Sequence, residues 1–399
     1  MISPLPESFD DLLKCLSVFF LGGLIIAFIG QMVKQKPVVT LALYAWHTVF
    51  CLAYVFIAIK NSGDAIGYYM RSFDRFLIFD LGTNAIVMFV SFFTTTLGFS
   101  FLATSLAFNV IGALGLVFFL AALRHAQQGM HWSFWLVLLL PSVSFWSAGI
   151  GKDPLSFFAT TLFAWWIATG GVRVWPMVVA LVVMGFARPH IAIVMAGTGA
   201  MFTFIQARQS PMRAAAGLFL MIVGGIYLLP TVLQTMNLET FDMENIGDMI
   251  ESRESKNLMG GSSIEISGMP LYLKVITYLF RPMPFEAADA FQLLNSAENM
   301  VLLLMVIGAS ALFIRRMNQR SGWQMFPLLI MSLFLILLLS QITANLGIAV
   351  RQKWMALVPL FVVLATALKA NTPTPAFLRP RRFSPTQHMR QKNSLNRLR

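Results

Sequence analysis

The chain has 399 residues, of which 57% are hydrophobic and 12% charged, with 29 Lys and Arg against 17 Asp and Glu. A mean hydropathy of +0.73 excludes a soluble globular domain and marks an all-α, polytopic helical integral membrane protein. The apolar-out, polar-in alternation of an outer-membrane barrel is missing, and Cys15 and Cys51, both inside apolar runs, read as buried thiols.

Apolar runs predict about 11 transmembrane segments, at roughly 14–33, 37–59, 99–123, 132–150, 154–170, 174–187, 190–206, 213–235, 297–314, 322–342 and 353–368. Residues 1–13 are acidic rather than basic, so the first run reads as a retained span and not as a cleaved signal peptide. Residues 84–98 are apolar but interrupted by Thr94, Thr95 and Thr96, and read as a helix at the membrane interface. The 174–187 and 190–206 pieces are short and joined only by Arg188-Pro189, either as two thin spans or as one re-entrant pair.

One set of alternate connectors holds Lys34, Lys36, Arg124, Arg173, Arg208, Arg213, Arg315, Arg316 and Arg320, and the tail after residue 368 adds eight more Lys or Arg. None of these segments contains Asp or Glu. The positive-inside bias makes them cytoplasmic, with the N-terminus outside and the C-terminus inside. Residues 1–368 then form a polytopic membrane domain, 236–296 a long outer loop within it, and 369–399 a basic, disordered cytoplasmic tail that touches anionic lipid. The tail's cations are too sparse for nucleic acid.

Twelve Lys and Arg fall on the outer side, against that bias. Lys152-Asp153 lies in a tight bend, Pro141 to Asp153, between two apolar runs. Arg188, followed by Pro189 and His190, breaks an apolar pattern; Arg281 precedes Pro282 with Glu286 close by; Arg351 and Lys353 flank the last run. The first outer loop adds Asp64, Tyr68, Tyr69 and Arg71. Forked guanidiniums suit phosphate oxygens, and such cations in low dielectric stabilise a diphosphate leaving group. A carboxylate such as Asp64 can take a proton from an attacking hydroxyl. Tyr68, Tyr69, Trp146 and Trp354 offer flat faces for sugars.

Plainer readings stand beside these. Lys152-Asp153 also suits a local ion pair ending a helix. Arg281, Arg351 and Lys353 suit anchors snorkelling to headgroups. His190 suits a satisfied polar residue, and the Tyr pair an aromatic belt. No Walker A loop, GxGxxG, HExxH or metal-spaced Cys/His cluster occurs, so neither a cofactor nor a metal is expected.

The Asp64, Tyr68, Tyr69 loop, the Pro-x-x-x-Phe-Trp-Ser-x-x-x-x-Lys-Asp stretch ending at Asp153, Arg188-Pro189 and Arg351 before the last span together resemble bacterial polysaccharide polymerases of the Wzy-like and EpsG-like kind. These are similar in style to membrane glycosyltransferases of the C superfamily. The resemblance implies inner-membrane residence and an undecaprenyl-diphosphate-linked glycan as donor, with a flippase and a chain-length regulator as companions. It implies diphosphate contacts from Arg188, Arg281 and Arg351, and Asp64 as base. Asp64 lacks the adjacent acid usual in the C superfamily, which leaves Glu286 and Glu298 as other bases. A lipid-linked glycan transporter, an O-antigen-ligase-like transferase and a non-catalytic scaffold are the alternatives. A transporter predicts cations through a central cavity and a pseudo-repeat.

Overall fold

The computed structural model describes residues 2–61, 63–74, 78, 80–206, 263–266, 268–287, 289–316 and 322–368, with isolated positions between 211 and 226. The predicted span at 213–235, most of the long loop and the basic tail lie outside these. Among the described residues every regular element is helical, apart from a single antiparallel bridge between Ser263 and Asn345.

The first half of the chain forms α1 (Phe9–Met32), α2 (Pro37–Asn61), the short α3 (Asp64–Arg71), α4 (Thr83–Ser91), α5 (Phe101–Gln127), α6 (Trp132–Leu138), α7 (Pro141–Trp146), α8 (Lys152–Ala168), α9 (Trp175–Ala187) and α10 (Pro189–Gln206). The second half adds α11 (Leu271–Phe280), α12 (Ala290–Arg316), α13 (Phe326–Ile342), α14 (Leu346–Gln352) and α15 (Trp354–Ala365). Local chemistry sets several of these ends. Ser8 caps α1 by accepting from the Asp11 amide, with Asp10 and Asp11 placed at the positive end of the helix dipole. Ser100 caps α5, which ends on Gln128 in the left-handed conformation with Arg124 and His125 in its last turn. The three threonines after α4 are wound into a π-helical turn, Phe92–Thr96, where Thr95 Oγ1 donates to the Ser91 carbonyl at 2.6 Å.

Helices that are apolar on most sides are buried, and α5, α8 and α15 have most of their residues buried. Every residue of α15 is buried. By contrast α1 exposes Phe20, Leu24 and Phe28, which fits a face turned to lipid.

Among the described residues five helices, α1, α2, α5, α10 and α12, are long and apolar enough to cross a bilayer, and α14 with α15 makes a sixth span if their 43° bend is counted within one crossing. The protein is therefore a multi-pass helical membrane protein, and several of the 11 predicted spans do not take the form of single long helices. The run at 132–150 is broken into α6 and α7 at Pro141, which starts a new helix. With 13 residues, α9 rises about 20 Å, short of a ~30 Å hydrocarbon core. Hydropathy averages across such breaks and does not see them.

Charge divides between the two ends of the bundle. At one end Arg124 donates to Gln35 at 2.7 Å, and Arg316 donates to the Ala367 carbonyl at 2.6 Å. The opposite end carries the acids of α1 and α3 and the N-terminus of α8.

Candidate functional site

α8 begins at the Lys152-Asp153 bend, directly after Gly151. Asp153 is buried, with its side chain only 10% exposed, so it must be paired. Its partners come from distant parts of the chain. Arg188, the single residue between α9 and α10, donates from Nη2 to Asp153 Oδ1 at 2.6 Å and from Nε to Ser156 Oγ at 3.1 Å. Arg351, near the end of α14, donates from Nε to Asp153 Oδ2 at 3.0 Å and from Nη1 to Asp64 Oδ2 at 3.1 Å. Each oxygen of one carboxylate is thus held by a different guanidinium.

The Arg351 guanidinium also lies 5.1 Å from the centroid of the Trp146 ring, a cation–π contact that fixes its plane. Arg188 Nη1 and Arg351 Nη2 make no hydrogen bond to a described residue. The buried Trp146 Nε1 likewise has no described partner. Tyr68 stands beside this group: a Cβ on Gly151 would meet its ring at 3.9 Å. Burial raises the Tyr68 pKa, with help from Asp64 and Asp153 and against Arg188 and Arg351, so the phenol remains a hydrogen-bond donor near neutral pH.

The structure therefore gathers Asp64, Tyr68, Trp146, Asp153, Arg188 and Arg351. Asp153 takes the central position and is paired with the two arginines, whereas Asp64 is peripheral, its side chain 64% exposed. The other predicted site residues have different surroundings. Lys152 Nζ approaches Gly82 at the start of α4, where an added Cβ would sit 3.7 Å away. Arg71 donates to Asn84 Oδ1 at 2.8 Å. Tyr69 donates to the Phe99 carbonyl at 3.5 Å. His190 occupies the second position of α10 and is half buried.

Arg281 and Glu286 form their own pair at 2.6 Å. Burial works to raise the Glu286 pKa, but hydrogen bonds from Arg281 and the Met283 amide outweigh it and hold the carboxyl below its ordinary value. Lys353 differs most from an exposed ligand-binding cation. It is 1% exposed, and its ammonium donates to Asn299 Oδ1 at 2.5 Å and to the Leu279 carbonyl at 3.5 Å. Glu298, next to Asn299 on α12, accepts from the Ser142 amide through both oxygens at 3.1 Å. These residues tie α12 to the start of α7 and to the junction of α14 with α15, two elements that bear Trp146 and Arg351.

The sequence pattern singles out neither His47 nor Asn109, which form a second buried network. His47 Nδ1 lies 2.5 Å from Asn109 Oδ1 and Nε2 lies 2.9 Å from Ser147 Oγ, while Asn109 Nδ2 donates to Thr48 Oγ1 at 2.9 Å. A histidine inside the apolar run 37–59 was the available signal, and the structure buries it fully. The network locks α2, α5 and the residue after Trp146 together. Among the described residues no group of three or more His, Cys, Asp or Glu could hold a metal ion. No family model, curated protein or solved structure matches the chain.

Proposed function

We propose that the protein is a membrane glycosyltransferase of the polysaccharide-polymerase type. It joins undecaprenyl-diphosphate-linked repeat units at the outer face of the bacterial inner membrane, in exopolysaccharide, capsule or O-antigen assembly. The observation that carries this reading is the pair of arginines, Arg188 and Arg351, meeting on one carboxylate with a guanidinium donor left over on each. Two forked cations a carboxylate-width apart suit adjacent phosphoryl groups. The half-buried rings of Trp146 and Tyr68 beside the group, with the Tyr68 hydroxyl, suit stacking and hydrogen bonding to the adjoining sugar.

In the reaction the acceptor hydroxyl oxygen bonds to the anomeric carbon of the donor glycan. The bond from that carbon to the diphosphate oxygen breaks, and the electron pair leaves on the diphosphate. Arg188 and Arg351 stabilise the charge that develops there. The hydroxyl proton passes to Asp64, which alone among the acids of this group is largely exposed. Glu286 is engaged by Arg281, and Glu298 is buried against Ser142, so neither suits the role of base. Asp153 positions the two arginines.

The test is turnover by purified protein given lipid-diphosphate-linked repeat units from its own cell, scored for long-chain product and released lipid diphosphate. Arg188→Lys and Arg351→Lys, which keep charge but lose the fork, run beside it with a folding check. Polymer from the wild type and loss in folded variants is expected. Substrate carried across proteoliposomes without product would overturn the reading in favour of a transporter.

A further inference from the structure

The eight residues of α3 rise about 12 Å. Asp64, at one end, pairs with Arg351; Tyr69, near the other, faces a separate concavity of about 390 Å³. That volume lies in the range of small-molecule sites. Its walls have two chemistries. One is aromatic: Tyr69 meets Phe73 and Phe101 edge-on, each at 5.3 Å between ring centroids, and Phe99 also lines the space. The other is acidic, from Glu7, Asp10 and Asp11 in the segment entering α1.

Lys14 is the one cation of the lining and is already engaged, by Asp10 at 2.8 Å and by the Gly98 carbonyl at 3.0 Å. Asp11 Oδ2 accepts from the Glu7 amide at 3.3 Å. Burial raises the Tyr69 pKa, with the Asp11 and Glu7 carboxylates adding to it, so the phenol stays protonated. Three carboxylates against one engaged ammonium give the cavity an excess of hydrogen-bond acceptors and a negative field. Such a lining repels phosphate and uronic acids, and it accepts hydrogen bonds from hydroxyl or ammonium groups. Flat rings beside acceptors suit the C–H faces and hydroxyls of a pyranose.

We propose that this cavity is a subsite for neutral or amino sugars of the glycan chain, displaced from the arginine group along α3 by the five residues from Asp64 to Tyr69, a rise of about 7.5 Å. The assignment rests on the reading of the arginine group as the diphosphate site, and it makes α3 a ruler: phosphate at the Asp64 end, uncharged sugar at the Tyr69 end. The substrate class it implies is a repeat unit whose sugars nearest this cavity carry no carboxylate.

The test uses full-length protein in detergent and binding measured by calorimetry. Two probes are compared: the oligosaccharide released by mild acid from the cell's own lipid-linked pool, and the same material with its primary hydroxyls oxidised to carboxylates. The untreated sugar should bind and the oxidised one should bind at least about tenfold more weakly, the equivalent of ~1.4 kcal/mol of charge repulsion. The double variant Glu7→Lys, Asp10→Lys changes exposed positions and should reverse that preference while leaving inorganic pyrophosphate binding unchanged. Equal binding of both probes, no binding of either, or a preference untouched by the charge reversal would overturn the subsite. Pyrophosphate binding lost in Arg351→Lys is read separately, so the two assignments fail independently.

Discussion

At the residue scale the arginine group is decided by burial. Asp153 and Arg188 are each about one-tenth exposed, so neither is solvated if its partner is removed. Asp153→Asn leaves the buried Arg188 without its counter-charge and Arg351 with only the exposed Asp64, and should cost about 3–5 kcal/mol, read as a fall in thermal midpoint in detergent. Asp64→Asn breaks an ion pair whose acid is mostly in water, and should cost under about 1 kcal/mol in the same assay. Equal losses would mean that Asp153 is not the central counter-ion. The Arg281–Glu286 pair allows a pH test. The folded Glu286 carboxyl titrates below its unfolded value, so the pair stabilises the protein at pH above the unfolded value and loses that contribution as pH falls through the folded one. Glu286→Gln should therefore lower the thermal midpoint slightly at pH 7. That difference should close once the Glu286 carboxyl is protonated in both the folded and unfolded states, and a difference that widened in acid would reverse the sign of the coupling.

At the scale of elements, the short α7 is held at both ends, by Glu298 at its first turn and by His47 through Ser147 just beyond its last. Trp146 is carried on that segment, so its position over Arg351 depends on contacts made by α12 and α2. The Lys353–Asn299 bond works alongside, two residues from Arg351. Asn299→Ala leaves a fully buried ammonium short of an acceptor and should cost about 1.5–3 kcal/mol. Lys353→Met removes the charge, and adding it to Asn299→Ala should recover much of that loss. The coupling in the double-mutant cycle measures the bond, and strict additivity would show that it does not hold the junction. Gly112 is a further constraint on the same region. A Cβ there would strike the Ser147 carbonyl and the His47 ring, so Gly112→Ala should push α5 from α7 and lose at least about 1–3 kcal/mol.

For the whole molecule, some features were legible in the sequence because their physics is local. Ionisable residues beside apolar runs are rare, which made Asp64, Asp153, Arg188 and Arg351 stand out before any contact was known. Which acid meets which arginine was not legible, because Asp153 and Arg351 are 198 residues apart and only helix packing joins them. The inward turn of Lys353 was hidden for the same reason. The cavity beside Tyr69 was hidden too, since the N-terminal acids and the Phe99–Phe101 turn are brought together only by folding. The division of charge between the bundle's ends leads to a topology that labelling can decide. Cys15 and Cys51 are buried, so a newly placed cysteine should dominate reaction with a membrane-impermeant maleimide. Asp74 follows α3 at the acidic end, and Arg173 lies in the exposed turn between α8 and α9 at the other. If the basic end is cytoplasmic, Asp74→Cys should label in intact cells, while Arg173→Cys should label only after permeabilisation. The opposite pattern would put the arginine group in the cytoplasm, out of reach of a donor presented outside. Labelling of both in intact cells would mean that the crossings between α3 and the α8–α9 turn are miscounted, most directly at the broken α6–α7 segment.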